Sequence, residues 1–191
     1  MSTLVIVLRA VSLLAFAGPM LLRFIGQSRE SRTRARHGGA DRVPVAANLA
    51  AFALFLPSLV IFPGSSDSSL SLQLAWLGSL LAIAGAALVL RSRVALGPAW
   101  SFVAKADQET GLVTTGPYRL VRHPIYLGLI LLAAGEALAF SSLPAFAIVL
   151  FWIIPTFAWR ARAEEKLLSR IFGERYGAYQ KRTKMIIPHL L

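Results

Sequence analysis

The chain has 191 residues, of which 56% are hydrophobic and 15% are charged, and its mean hydropathy is +0.63. Soluble domains usually carry about 25% charged residues, so this composition excludes an ordinary soluble domain as well as a disordered chain. The absence of cysteine excludes a disulfide scaffold and a cysteine-ligated metal centre.

Hydropathy predicts five membrane-spanning helices, because a span needs roughly 20 mostly apolar residues. The last two are separated only by the Ser-Ser-Leu-Pro sequence at 141–144, which favours a turn, so they form a short hairpin. We therefore expect an all-α integral-membrane protein with a single domain over 1–191, made of three spans in 1–90 and a catalytic half in 91–191. The five spans are 4–25, 43–62, 70–90, 124–140 and 143–159.

Lysine and arginine alternate between the loops that join these spans. Five lie in 26–42, none in 63–69, five in 91–123, none in 141–142 and eight from residue 160 onward. By the positive-inside rule, the N-terminus is outside and the C-terminus is cytoplasmic, most simply at a bacterial inner membrane. The formal net charge of +11 is then explained by topology and anionic lipid, and we expect no nucleic-acid partner.

Three of the polar residues within the predicted spans have an expected role. Glu136 falls near the outer end of the fourth span, and Arg9 falls at the outer end of the first, so we expect a structural ion pair between them rather than a proton path. Asn48, near the inner end of the second span, is expected to make a hydrogen bond between helices.

Two polar strings flank the hairpin and are brought to its cytoplasmic end. In the first, Pro124 suits the first turn of a helix and places His123 at the helix N-cap. In the second, Arg160 and Glu164 are four residues apart and share a helix face. Taken alone, the first string also fits a helix that begins at proline and carries Tyr and Arg at the membrane interface. The second also fits a solvated helix end whose charged side chains pair with each other. Together they suit a polar cofactor on the water side and a lipidic acceptor on the bilayer side, with no metal motif present.

These strings resemble the isoprenylcysteine carboxyl methyltransferase family and, more loosely, the phospholipid N-methyltransferases. The matching pieces are Leu-Val-Thr-Thr-Gly-Pro-Tyr at 112–118, Arg-His-Pro-Ile-Tyr-Leu-Gly at 122–128, the Glu164-Glu165 pair, and Phe-Gly-Glu-Arg-Tyr at 172–176 followed by Tyr179. The resemblance spans about residues 97–188. It implies an integral-membrane methyltransferase that uses S-adenosylmethionine, releases S-adenosylhomocysteine, and binds the cofactor in a cytoplasm-facing pocket of its C-terminal half.

The resemblance also implies roles for individual residues. Glu164 would contact the polar end of the cofactor, and Arg160 would face the acceptor. Glu165 or His123 would be the base if the acceptor were an amine or a hydroxyl, whereas a carboxylate is already ionised and needs none. Lys105 corresponds to a cofactor contact in a loop that is shorter here than in eukaryotic members. The other implied cofactor contacts are Thr110, Gly111, Leu112, Val113, Tyr118, His123, Pro124, Ile125 and Tyr126.

Several functions remain open at this point. O-methylation of a carboxylate on a lipophilic acceptor is favoured, and N-methylation of a phospholipid amine is the nearest alternative. A membrane reductase of the sterol-reductase type is another alternative, because the C-terminal half of such enzymes is distantly similar to this one. Its cofactor would be NADPH. A membrane scaffold or transporter-like protein would bind neither cofactor. In each case we expect contact with membrane lipids and no bound metal. The enzymes would in addition bind a lipophilic acceptor.

Overall fold

A computed structural model of the chain describes residues 3–25, 43–65, 68–97 and 111–187. Regular structure in these ranges is helical, apart from one isolated parallel bridge between Val121 and Lys184. The predicted all-α class is therefore confirmed for the described part of the chain. The helices are α1 (Thr3–Ile25), α2 (Val43–Ile61), α3 (Ser69–Leu96), α4 (Pro124–Ala139), α5 (Leu143–Phe172) and α6 (Glu174–Arg182).

Three of these helices, α2, α3 and α5, are long and apolar enough to cross a membrane. Helix α4 has 16 residues, or roughly 24 Å at 1.5 Å per residue, which is shorter than a hydrocarbon core of about 30 Å. The apolar part described for α1, Thr3–Phe16, is also short. The five predicted apolar segments thus correspond to five helices, while the crossing of the membrane by all five remains a prediction.

The outward surfaces of these helices carry large apolar side chains. Leu14 is 72% exposed, Val60 is 74% exposed and Phe151 is 81% exposed. Exposed apolar surface on this scale marks contact with lipid or with another protein. Together with the hydropathy of the helices, it supports a membrane-embedded protein.

The turn between α4 and α5 lies where the Ser-Ser-Leu-Pro sequence predicted it. Ser141 has a positive φ of 52°. The Ser142 hydroxyl accepts a hydrogen bond from the Ala145 amide at 3.4 Å and so caps the first turn of α5. Because the turn is so short, α4 and α5 run antiparallel, and the start of α4 lies beside the part of α5 that follows Trp159.

Helix α5 contains a π-helical turn at Val149–Ile153, just before Pro155. Proline has no amide hydrogen and its ring crowds the carbonyl four residues earlier, which interrupts the regular hydrogen-bond ladder. Beyond the predicted span end at Trp159, the helix continues through a charged segment to Phe172. It stops at Gly173, whose φ of 52° favours glycine.

Helices α3 and α4 approach each other through two glycine pairs. A Cβ atom at Gly85 would lie 2.6 Å from the Gly128 carbonyl oxygen, and one at Gly78 would lie 2.5 Å from the Gly135 carbonyl oxygen. Small residues at such crossings allow the backbones of membrane helices to pack closely. This contact fixes α4, and therefore the beginning of the polar site, against the long α3 helix.

The predicted ion pair between Arg9 and Glu136 is wrong, although both residues lie at the same end of the bundle. Arg9 Nε donates to the Ala139 carbonyl at 3.0 Å, and Arg9 Nη2 donates to the Phe140 carbonyl at 3.2 Å. Glu136 instead accepts a hydrogen bond from Ser12 at 3.0 Å. The arginine reaches past the carboxylate because the last carbonyls of α4 have no partner within the helix.

The predicted hydrogen bond of Asn48 between helices is confirmed. The Thr156 hydroxyl on α5 donates to Asn48 Oδ1 on α2 at 3.0 Å. This bond lies one turn before Arg160, so it fixes α2 against α5 close to the polar end of the hairpin.

Candidate active site

The two polar strings meet at one end of the α4–α5 hairpin, as the sequence predicted. The first turn of α4 supplies Tyr126, with His123 at its N-cap, and the charged part of α5 supplies Arg160, Glu164 and Glu165. His123 and Glu164 are 41 residues apart in the chain, yet His123 Nδ1 lies 3.7 Å from Glu164 Oε2. The antiparallel hairpin is what brings them together.

Glu164 is the carboxylate at the centre of this cluster, and its side chain is 19% exposed. Its Oε1 atom accepts hydrogen bonds from Arg160 Nε at 3.1 Å and from the Tyr126 hydroxyl. Its Oε2 atom faces His123 and has no closer polar contact among the described residues. One oxygen is thus held by the protein, while the other can accept a further donor.

The Tyr126 ring organises the side chains around Glu164. The His123 ring stacks on it with 5.3 Å between centroids and 1° between planes, and Phe157 stacks at 5.0 Å. The Arg160 guanidinium lies over the same ring, 5.3 Å from its centroid. These contacts restrict the rotamers of His123 and Arg160, so the polar groups are held in place by an aromatic core.

Glu165, which the sequence offered as a base, is held by three partners. Its Oε1 atom lies 2.6 Å from Arg122 Nε and 3.4 Å from His123 Nε2, and its Oε2 atom accepts from Gln180 Nε2 at 3.2 Å. Burial raises the pKa of this carboxyl, but His123 and Arg122 outweigh burial and lower the pKa to about 2. Glu165 is therefore a fixed anion that orients its neighbours, and this geometry disfavours a role as proton acceptor.

Arg122 joins this site to the C-terminal tail, and sequence reasoning gave it no role. Its side chain donates to the Thr183 carbonyl and, at 3.3 Å, to the Gln180 carbonyl. Its backbone amide donates to the Lys184 carbonyl at 2.8 Å, and the His123 amide donates to the Met185 carbonyl at 2.9 Å. The only sequence signal for this role was that Arg122 adjoins His123 in the matching string.

Tyr118 is buried beside the site, and its backbone is held by α6. The Tyr179 hydroxyl donates to the Tyr118 carbonyl oxygen at 2.6 Å. Burial raises the pKa of Tyr179 to about 12 and raises the pKa of Tyr118 as well. Both phenols are therefore neutral at physiological pH and act as hydrogen-bonding groups.

The remaining predicted cofactor contacts are spread along the approach to α4. Pro124 is buried and Ile125 is half-buried in the first turn of that helix. Residues Gly111, Leu112 and Val113 form a half-buried, non-helical segment, and Gly111 has a φ of 72°. This segment leads into the 3₁₀ turn Gly116–Arg119, which carries Tyr118. Lys105 and Thr110 lie outside the described residues.

The donor set does not resemble a metal centre. In the described ranges, no three histidine, aspartate or glutamate side chains converge in a way that could hold a metal ion. The site instead combines a carboxylate, an imidazole, a guanidinium and phenol groups at the end of an apolar hairpin. Such a set can bind a zwitterionic molecule and an anionic headgroup side by side.

Known methyltransferases are similar in sequence to much of this chain. A model of the phospholipid methyltransferase family (PEMT) matches residues 74–175 of the chain. The protein-S-isoprenylcysteine O-methyltransferase A of Arabidopsis thaliana is 30% identical over 142 residues, which cover 70% of this chain and 68% of the plant protein. The protein-S-isoprenylcysteine O-methyltransferase of Saccharomyces cerevisiae is 32% identical over 136 residues, which cover 70% of this chain and 56% of the yeast protein.

A solved structure shares the fold. The eukaryotic intramembrane Ras methyltransferase ICMT, an isoprenylcysteine carboxyl methyltransferase, aligns with a TM-score of 0.61 and 20% identity. The alignment covers 93% of this chain and 63% of that one. The region matched by the family model contains the whole α4–α5 hairpin and the polar cluster at its end.

Proposed function

The chain belongs to the phospholipid methyltransferase family and to the isoprenylcysteine carboxyl methyltransferases, and we propose that it methylates a carboxylate on a lipophilic acceptor with S-adenosylmethionine. The observation that carries the proposal is the convergence of Glu164, His123, Tyr126 and Arg160 at the end of the apolar hairpin, within the region that matches the family. The proposed site faces the cytoplasm.

The side chains fit the polar end of the proposed cofactor. When bound, S-adenosylmethionine would supply an electrophilic methyl group for the acceptor oxygen, with S-adenosylhomocysteine as the leaving group. Glu164 Oε2 would accept from the ammonium group, and this role is supported by the fact that Tyr126 and Arg160 bond only to Oε1. His123 Nδ1 lies 3.7 Å from the same oxygen, so the imidazole would contact the amino-acid end as well.

Arg160 is proposed to orient the acceptor. It follows the apolar part of α5 directly, so a headgroup entering from the bilayer would meet the polar site there. A guanidinium presents a planar set of donors that matches a carboxylate. Alignment of the two reactants then supplies most of the rate enhancement, since an ionised carboxylate needs no base.

N-methylation of a phospholipid amine is the second candidate, and the description of the matching family favours it. An ammonium acceptor would have to lose a proton before attack. Glu165 is a poor proton acceptor because it is tied to Arg122 and Gln180. Arg160 would also repel a cationic headgroup. The geometry therefore favours the carboxylate.

The proposal is tested by incubating membranes that contain the protein with methyl-labelled S-adenosylmethionine and extracting the lipids. We expect label in the lipid fraction that mild base releases as methanol, because esters are hydrolysed and N-methyl groups are not. Base-stable label would establish N-methylation instead. Arg160→Lys should retain S-adenosylhomocysteine binding and lose most of the ester product, since a lysine cannot reproduce the fork.

A further inference from the structure

A second polar site lies beside the active-site cluster, between the charged part of α5 and helix α6. It is an open cavity of about 470 Å³. Its walls are formed by Arg162, Glu165, Lys166, Ser169, Arg170 and Gln180. Neither the proposed methyl donor nor the proposed acceptor accounts for it.

Three of the lining residues are exposed cations on one face of α5. Arg162, Lys166 and Arg170 follow one another at intervals of four residues, which places them one turn apart along the same stripe. Across the described ranges, none of the three has a salt bridge to an acidic side chain. Their charges are therefore available to a ligand.

Among the described lining residues, Glu165 is the one acidic group, and its charge is largely compensated. Arg122 Nε lies 2.6 Å from its Oε1 atom, and Gln180 donates to its Oε2 atom. The Ser169 hydroxyl adds a neutral hydrogen-bonding group. The cavity as a whole is thus electropositive, with amide and hydroxyl groups that can bond to phosphate oxygens.

The cavity begins close to the predicted membrane boundary, and Lys166 and Arg170 lie roughly 10 and 16 Å beyond Trp159 at 1.5 Å per residue. The apolar part of α5 ends at Trp159, which is 43% exposed, as is common for aromatic residues at a membrane interface. Arg162 lies roughly 5 Å beyond it along the helix axis at 1.5 Å per residue. Side chains on a helix lean toward its N-terminus, so Lys166 and Arg170 lean back toward the bilayer.

From the cavity, its charge and its position near the predicted membrane boundary, we propose that it binds the phosphate headgroup of an anionic phospholipid. The lipid would be bound as a ligand and would not be the methyl acceptor. A basic pocket beside a membrane-spanning segment is suited to such headgroups. The proposal does not depend on the methyl-transfer chemistry, so it can fail or hold independently of the function proposed above.

The test measures binding of fluorophore-labelled phosphatidylglycerol and of phosphatidylcholine with the same acyl chains to the full-length protein in neutral detergent. We expect the wild-type protein to bind phosphatidylglycerol at least tenfold more tightly. A basic residue near a membrane surface contributes about fivefold, so the triple variant R162Q/K166Q/R170Q should lose most of this preference. The matched control R175Q/K181Q/R182Q changes the net charge equally on exposed residues of α6 and should retain it.

Three results would overturn the proposal. The wild-type protein could show no preference for phosphatidylglycerol, or the two triple variants could lose it equally, which would indicate a general charge effect. Glycerol 3-phosphate could compete as well as the intact lipid, which would make this a site for a soluble phosphate ester.

Because all three substituted residues are exposed, the variant should unfold at the wild-type temperature, and the single variant Lys166→Gln should still show about a fivefold loss.

Discussion

At the scale of single residues, two buried tyrosines on α6 show how unevenly similar side chains contribute to the site. Tyr176 and Tyr179 are one turn apart, and their rings contact at 6.0 Å between centroids. The Tyr179 hydroxyl donates to the Tyr118 carbonyl, whereas the Tyr176 hydroxyl is buried with no hydrogen-bond partner in the described structure. The two phenols therefore form a matched pair for measuring what one hydrogen bond contributes.

Tyr179→Phe should destabilise the protein by about 1–3 kcal/mol, because it leaves the Tyr118 carbonyl buried without a donor. Tyr176→Phe should leave stability unchanged or raise it slightly, since it removes a hydroxyl that is desolvated without compensation. Unfolding of both variants in the same detergent measures the difference. Equal losses in the two variants would show that the Tyr179 hydrogen bond does not anchor α6.

At the scale of helices, the position of the site depends on how closely α3 and α4 approach. Gly85 and Gly128 face each other near the polar end, and Gly78 and Gly135 face each other further along. Hydropathy predicted both helices without indicating that they touch, because glycine contributes little to a hydropathy profile. The spacing of the glycines was visible in the sequence, but their partner helix was not.

Gly85→Ala should therefore destabilise the bundle by about 1–3 kcal/mol, since the new methyl group would lie 2.6 Å from the Gly128 carbonyl oxygen. Gly177→Ala on α6 is the control, because a Cβ atom there meets nothing within 4 Å. Alanine also has the higher helix propensity, so the control should be neutral or stabilising. Thermal unfolding monitored by circular dichroism distinguishes the two; a neutral Gly85→Ala variant would rule out the close approach of α3 and α4.

Across the described chain, the sequence predicted the helices better than the contacts between them. Hydropathy and the turn at 141–144 located the helices and the hairpin, and the hairpin alone placed His123 beside Glu164. Arg9 was expected to pair with Glu136, but it donates to the last carbonyls of α4 instead. The position of a residue along a helix does not show how far its side chain extends. The docking of the tail on Arg122 was missed for a similar reason, since it depends on backbone groups about 60 residues away along the chain.

The distribution of basic residues predicts that the C-terminal half faces the cytoplasm, and cysteine labelling in intact cells can measure this. The chain has no cysteine, so Ser66→Cys and Arg175→Cys each introduce a single reactive thiol. An impermeant maleimide should label Ser66→Cys directly and Arg175→Cys only after the membrane is permeabilised. The opposite pattern would place the active site on the outer face.

The most direct test of the proposed cofactor site is calorimetric binding of S-adenosylhomocysteine to the wild-type protein and to Glu164→Gln. Glutamine keeps an oxygen for Tyr126 and Arg160 but removes the negative charge proposed to hold the ammonium group. Loss of a charge-assisted hydrogen bond of about 1.5–3 kcal/mol predicts roughly ten- to hundredfold weaker binding. Glu174→Gln, at an exposed position on α6, should bind as the wild-type protein does. Equal affinity of the Glu164→Gln and wild-type proteins, or a folded wild-type protein that binds NADPH and not S-adenosylhomocysteine, would contradict the account.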